Sequence, residues 1–109
     1  MRWILAFAAL STVAVASEIK LSGPEIATNL TDVSLYAGTT VEQIFQKGGQ
    51  TVYIENGGAS QGLWKVQADQ YCSQWPPSQG WSCFDVLQDG DQITFVSKAG
   101  KRFEMRKPK

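Results

Sequence analysis

Turn-forming residues recur along this chain at intervals of about one strand, and that punctuation limits the fold more than any other feature. They are Gly48-Gly49, Asn56-Gly57-Gly58, Ala68-Asp69, Pro76-Pro77, Asp89-Gly90 and Ala99-Gly100. The stretches around them, residues 34–36, 41–47, 51–55, 62–67, 70–75, 81–87, 92–97 and 102–106, carry Val, Ile, Thr and aromatic residues in short runs that suit strands. Connections this short join antiparallel neighbours. The expected fold is all-β: an up-and-down antiparallel meander of seven or eight strands over residues 34–106, forming a small barrel or a curled sheet.

The register follows from asking which turns place the apolar residues on one face, because a slip of one residue reverses every side chain. Two-residue turns at Gly48-Gly49, Ala68-Asp69 and Asp89-Gly90 set Phe45 against Val52, Val66 against Tyr71 and Val86 against Ile93. A four-residue loop from Pro76 to Gln79 sets Tyr71 against Phe84 and Cys72 against Cys83. A three-residue loop from Lys98 to Gly100 sets Phe95 against Phe103 and Ile93 near Met105. The predicted core face is Phe45, Val52, Ile54, Trp64, Val66, Tyr71, Phe84, Val86, Ile93, Phe95, Phe103 and Met105.

Before the strands, Ser22-Gly23-Pro24-Glu25 has the spacing of a capping box, with Leu21 and Ile26 placed as a hydrophobic staple. Ile26 and Leu30 share a face, so a short helix is expected from Gly23 to Leu30, covering one end of the sheet.

The two cysteines, Cys72 and Cys83, are the only ones in the chain, and the register places them opposite each other on the face away from the core. Their spacing is far from Cys-x-x-Cys and the chain has no histidine to complete a zinc shell, so a structural disulfide is expected. Closing so short a loop adds about 2–3 kcal/mol in the chain-entropy account. A disulfide implies an oxidising compartment. The N-terminus agrees: Met1-Arg2, an apolar run from Trp3 to Leu10 and Ala14-Val15-Ala16 make up a signal peptide over residues 1–16. The expectation is a single β domain over residues 17–109, periplasmic or secreted. No second apolar run reaches about 18 residues, so no membrane span is expected.

The lack of histidine removes Ser-His-Asp and Cys-His catalysis, histidine-ligated metals and the usual switch near neutral pH. Charge is balanced overall but uneven along the chain: residues 98–109 hold six basic groups and one acid, residues 17–97 three basic groups and nine acids. The simplest reading of the basic end is a solvated strand and tail.

Gly62-Leu63-Trp64-Lys65-Val66, Asp69, Tyr71-Cys72, Trp75-Pro76, Trp81-Ser82-Cys83, Phe95-Val96 and Ala99-Gly100 together resemble small secreted or periplasmic bacterial proteins of unknown function with a lipocalin-like β-sheet. Leu21-Ser22-Gly23-Pro24-Glu25-Ile26 matches the helix start of that group. The resemblance implies export and brings no activity with it. A looser one, to eight-stranded bacterial metalloprotease inhibitors, rests on the Gly-x-Trp strand and the disulfide. The cysteines of those inhibitors lie further apart.

No constellation here encodes a reaction. Asp69 and Asp89 sit at turns, where their side chains bond locally. Asp85 falls on the outer face, opposite Thr94. Asp89-Gly90-Asp91 starts like a calcium loop but lacks the other ligands. Ligand or partner contact is expected of the aromatic residues Trp64, Tyr71, Trp75 and Trp81, with Pro76 and Pro77 stiffening the tip between the last two. Of these, Trp64 has the periodicity of a core residue. The expected function is a non-enzymatic, monomeric binding module without cofactor, metal or nucleic acid, taking a small apolar or amphipathic ligand. The alternative is a protein-binding or protease-inhibitor-like module that uses the Trp75 to Trp81 tip to engage a periplasmic protein.

Overall fold

The computed structural model describes residues 17–108. The expected signal peptide, residues 1–16, lies outside them. Two residues of strand, β1 (Ile19–Lys20), lead to helix α1 (Gly23–Leu30), and eight strands follow: β2 (Val33–Ala37), β3 (Val41–Phe45), β4 (Gln50–Glu55), β5 (Gly58–Gln67), β6 (Gln70–Gln74), β7 (Ser82–Asp89), β8 (Gln92–Val96) and β9 (Arg102–Arg106). Each of β2 to β8 pairs antiparallel with the next, and β9 pairs with β2 through Tyr36 and Arg106. The result is a closed eight-stranded antiparallel barrel, with β1 added along β7. β6 pairs with β7 only over residues 82–84, and β1 takes up the same edge further on, at Leu87 and Gln88. Of the two architectures open to the sequence, barrel or curled sheet, the barrel is the one formed.

The helix is bounded as expected. Ser22 Oγ accepts from the Glu25 amide at 3.4 Å, and Glu25 Oε1 accepts from the Ser22 amide at 2.8 Å, completing the capping box. Ile26 and Leu30 are fully buried and join Leu21 in the core. Asp69 Oδ1 accepts from the Gly23 amide at 2.6 Å, tying the first turn of the helix to the β5–β6 turn. At the other end of the helix the Asp32 amide donates to the Phe45 carbonyl, and Asp32 Oδ1 accepts from the Lys47 amide. These bonds seat α1 over the barrel end that carries the β3–β4 and β5–β6 turns. The opposite end carries the connections 38–40, 56–57, 75–81 and 97–101.

Three pairings follow the expected register: Val66 with Tyr71, Tyr71 with Phe84 beside Cys72 with Cys83, and Phe95 with Phe103. The β3–β4 hairpin does not. Its loop is Lys47-Gly48-Gly49, closed by the Gln46 amide on the Gln50 carbonyl and by the Gly49 amide on the Gln46 carbonyl, with Gly49 at φ +95°. That three-residue loop sets Phe45 against Thr51 instead of Val52. Thr51 and Tyr53 therefore face inward, and Val52 and Ile54, expected in the core, face out.

The β7–β8 turn is centred on Gly90-Asp91, one residue later than expected, so Val86 opposes Phe95 and Asp85 opposes Val96, not Thr94. Moving the pairing by two residues keeps each side chain on its face, and Val86 and Ile93 remain buried. Strand β5 begins at Gly58, four residues before the expected start, because Asn56-Gly57 forms a tight two-residue turn with both residues at positive φ.

Candidate functional site

The half of the barrel next to the helix is filled. Phe45 packs edge-on against Trp64 and Tyr71 at centroid distances of 5.7 and 5.6 Å, with Leu35, Val86 and Ile93 around it. Toward the other end the inward positions become small: Ala37 on β2, Val41 on β3, Ser60 on β5 and Ser73 on β6. An eight-stranded barrel is just wide enough to be filled by its own side chains or to hold one small ligand. The small residues at these four positions leave this end of the barrel incompletely filled. The space left is an open cavity of about 760 Å³, within the range of small-molecule sites.

One wall is aromatic. Phe84 lies 5.9 Å from Tyr71 and 6.0 Å from Phe103, and Phe95 lies 4.9 Å from Tyr71. Met105 continues this wall. Phe103, expected in the core, is 41 % exposed because it stands at the mouth, beyond the last filled layer. Across the mouth, Trp75 and Pro76 close over the opposite side. The Trp75 ring meets Tyr53 edge-on at 6.3 Å and lies on Gly62, where an added Cβ would come within 2.6 Å of it. The same Cβ would come within 2.7 Å of the Gln74 carbonyl oxygen, so the indole and the β6 backbone together require glycine at 62.

A chain of polar groups crosses the floor. Gln43 Nε2 donates to Thr51 Oγ1 at 3.1 Å and to the Tyr71 hydroxyl at 3.0 Å. Thr51 Oγ1 spends its single proton on the Ile44 carbonyl at 2.8 Å, so it can only accept from Gln43, which fixes which way the amide faces. Trp75 Nε1 donates to Ser73 Oγ at 3.1 Å. Burial pushes the Tyr71 phenol above its usual range, while hydrogen bonds with Ser73 and Gln43 pull the other way.

The sequence-predicted site residues separate into three groups. Tyr71, Trp75 and Pro76 line the cavity, and Trp64 lies below it, its indole nitrogen donating to the Gln46 carbonyl at 2.9 Å. Trp81 is 39 % exposed on the outside of the barrel, with Lys65 Nζ 4.2 Å above its ring. Pro77 follows Pro76 in the loop and is not among the lining residues; the Pro76–Pro77 bond is cis. Cys72 and Cys83 form the expected disulfide, their Cα atoms 4.0 Å apart, with Cys72 fully buried on the outer side of its strand. Asp85 is an outer residue that accepts from Gln70 Nε2 at 3.0 Å and lies 3.6 Å from Lys20 Nζ.

Gln43, Tyr53, Ser60 and Ser73 also line the cavity and are not among the residues expected there from the sequence. Reading Asn56-Gly57 strictly as a two-residue turn would have found two of them, since it extends β5 back to Gly58 and places Ser60 opposite Tyr53. Among the described residues no cluster of three or more His, Cys, Asp and Glu is arranged to hold a metal ion, and no helix is long and apolar enough to cross a membrane. Compared with known proteins, the chain matches no family model, no curated protein and no solved structure.

Proposed function

We propose that this protein is an exported, non-enzymatic, monomeric module that holds a small apolar or amphipathic molecule in the open end of its barrel. The observation that carries this reading is the cavity itself: about 760 Å³, walled by Phe84, Phe95, Phe103 and Met105, at the end of the barrel that the helix leaves uncovered. Burying apolar ligand surface against such walls contributes roughly 25 cal/mol per Å² before the costs of association. The disulfide and the signal-like N-terminus support a periplasmic or secreted location.

Native mass spectrometry of the exported protein and titration with a hydrophobic dye test the reading together. Wild type should carry extra mass that is lost on denaturation, or take up the dye at one site. Ala37→Phe, which puts a ring into the cavity, should abolish both, and Trp81→Ala, outside the barrel, should leave both intact. Dye uptake indifferent to Ala37→Phe would overturn the proposal. A protein partner captured by wild type and lost on Trp81→Ala would favour the exposed Trp81 face as a protein-binding or inhibitor-like surface.

A further inference from the structure

The cavity floor has more hydrogen-bonding capacity than the protein uses. Gln43 is 7 % exposed and lines the cavity, and both protons of its Nε2 are committed to Thr51 and Tyr71. Its Oε1 accepts no hydrogen bond from any of the described residues. A buried amide oxygen is costly to leave unpaired, so this atom is a strong site for a donor arriving from the cavity.

Close by are two hydroxyls that can donate as well as accept. The Tyr71 oxygen already accepts from Gln43, Ser73 Oγ accepts from Trp75, and the two hydroxyls bond to each other, which leaves the pair one proton to give. The floor thus offers one acceptor and one hydroxyl donor, the complement of a group that both gives and receives one hydrogen bond.

Charge narrows the class further. No Lys or Arg lines the cavity, and its one charged lining residue, Glu104, neighbours Phe103 and Met105 on β9 and has its side chain 57 % exposed beside Arg102. A carboxylate or phosphate carried down to Gln43 would be desolvated with no cation to meet it. An ammonium would lose its water against a floor that has a single free acceptor. Burial also pushes the Tyr71 phenol above its usual range, the direction in which desolvation moves any group that ionises to an anion. The aromatic wall and the mouth at Phe103 and Trp75 suit an alkyl or ring body above the head group.

Building on the cavity as a ligand site, we infer that the ligand class is an uncharged amphiphile with a hydroxyl head, bound head-inward, with Gln43 Oε1 accepting its proton and the Tyr71 or Ser73 hydroxyl donating to its oxygen. The apolar body lies against Phe84, Phe95 and Phe103 and leaves by the mouth.

Calorimetric titration with dodecanol, dodecyl methyl ether and dodecanoate at about pH 8, where the carboxylate is ionised, tests this. Dodecanol should bind about 3- to 10-fold more tightly than the ether, which lacks the proton for Gln43, and more tightly still than dodecanoate. Gln43→Met, similar in length and without the amide oxygen, should bring alcohol and ether to equal affinity. The three wild-type affinities decide the matter even if that variant fails to fold. Equal binding of alcohol and ether, or tightest binding of dodecanoate, would overturn the head-group assignment and leave the cavity reading standing. Binding of none of the three, together with no dye uptake, would overturn both.

Discussion

Tyr71 joins the two halves of the barrel. Its ring packs against Phe45 on the filled side and Phe95 on the cavity wall, while its hydroxyl oxygen accepts a hydrogen bond from Gln43. That position makes it the buried titratable group of the floor, with a phenol held above its usual range by desolvation. The sign of the linkage follows. The folded state keeps the phenolic proton where the unfolded chain gives it up, so the contribution is fully present below about pH 10, the unfolded value, and is lost as pH rises through the higher folded value. Tyr71→Phe should therefore flatten the fall in stability above about pH 10 relative to wild type. Urea midpoints measured across that range check it, and parallel curves for the two proteins would show that Tyr71 is not the group responsible.

At the scale of the element, the hairpins show how much a single loop residue decides. The loops 47–49 and 98–100 are both three residues long and end in a glycine at positive φ, Gly49 at +95° and Gly100 at +88°. The second is legible because a three-residue loop aligns Phe95 with Phe103. The first offered a competing two-residue reading that aligned Phe45 with Val52, and apolar pattern alone favoured it. The physical cost of the true register is small, because Thr51 satisfies its hydroxyl on the Ile44 carbonyl and Tyr53 stands at the mouth.

The β5–β6 turn carries a different tension. Ala68 and Asp69 occupy φ of +52° and +57°, a region that disfavours any residue with a Cβ, and Asp69 is held there in part by its bond to the Gly23 amide. Ala68 has no such compensation. Ala68→Gly should stabilise the protein by about 0.5–1 kcal/mol, the relief of left-handed strain less the added freedom of the unfolded chain. Thermal melts would register it, and an unchanged or lowered melting temperature would count against strain at this turn.

For the whole molecule, closure is uneven. Strands β4 and β5 pair over six residues each, whereas β2 and β9 meet through the single pair Tyr36 and Arg106. The barrel should open first along that seam. Hydrogen exchange followed by mass spectrometry should show the backbone amides of residues 33–37 and 102–106 exchanging ahead of those in β4 and β5. Uniform protection around the barrel would mean that closure there is as strong as elsewhere. The seam borders the cavity through Ala37, Phe103 and Met105, so its opening widens the cavity mouth.

The features legible in the sequence are local: a capped helix at residues 23–30, turns near residues 48–49, 56–58, 68–69, 89–90 and 99–100 but not the one at Gly38, the pairing of Cys72 with Cys83, and alternation that identified most of the buried apolar residues. Those features depend on neighbours in the chain or on one adjacent strand, and a short pattern encodes them. Closure of the sheet, the turning in of Trp75 over Gly62 while Trp81 stays out, and the cavity at the end away from the helix came only with the tertiary structure. The reason is geometric. A cavity is set by residues from nearly every strand at one height along the barrel, and that height depends on the sum of all the registers. An error of one residue at Gly48-Gly49 was enough to hide Thr51 and Tyr53 from view and, with them, the polar floor built around Gln43.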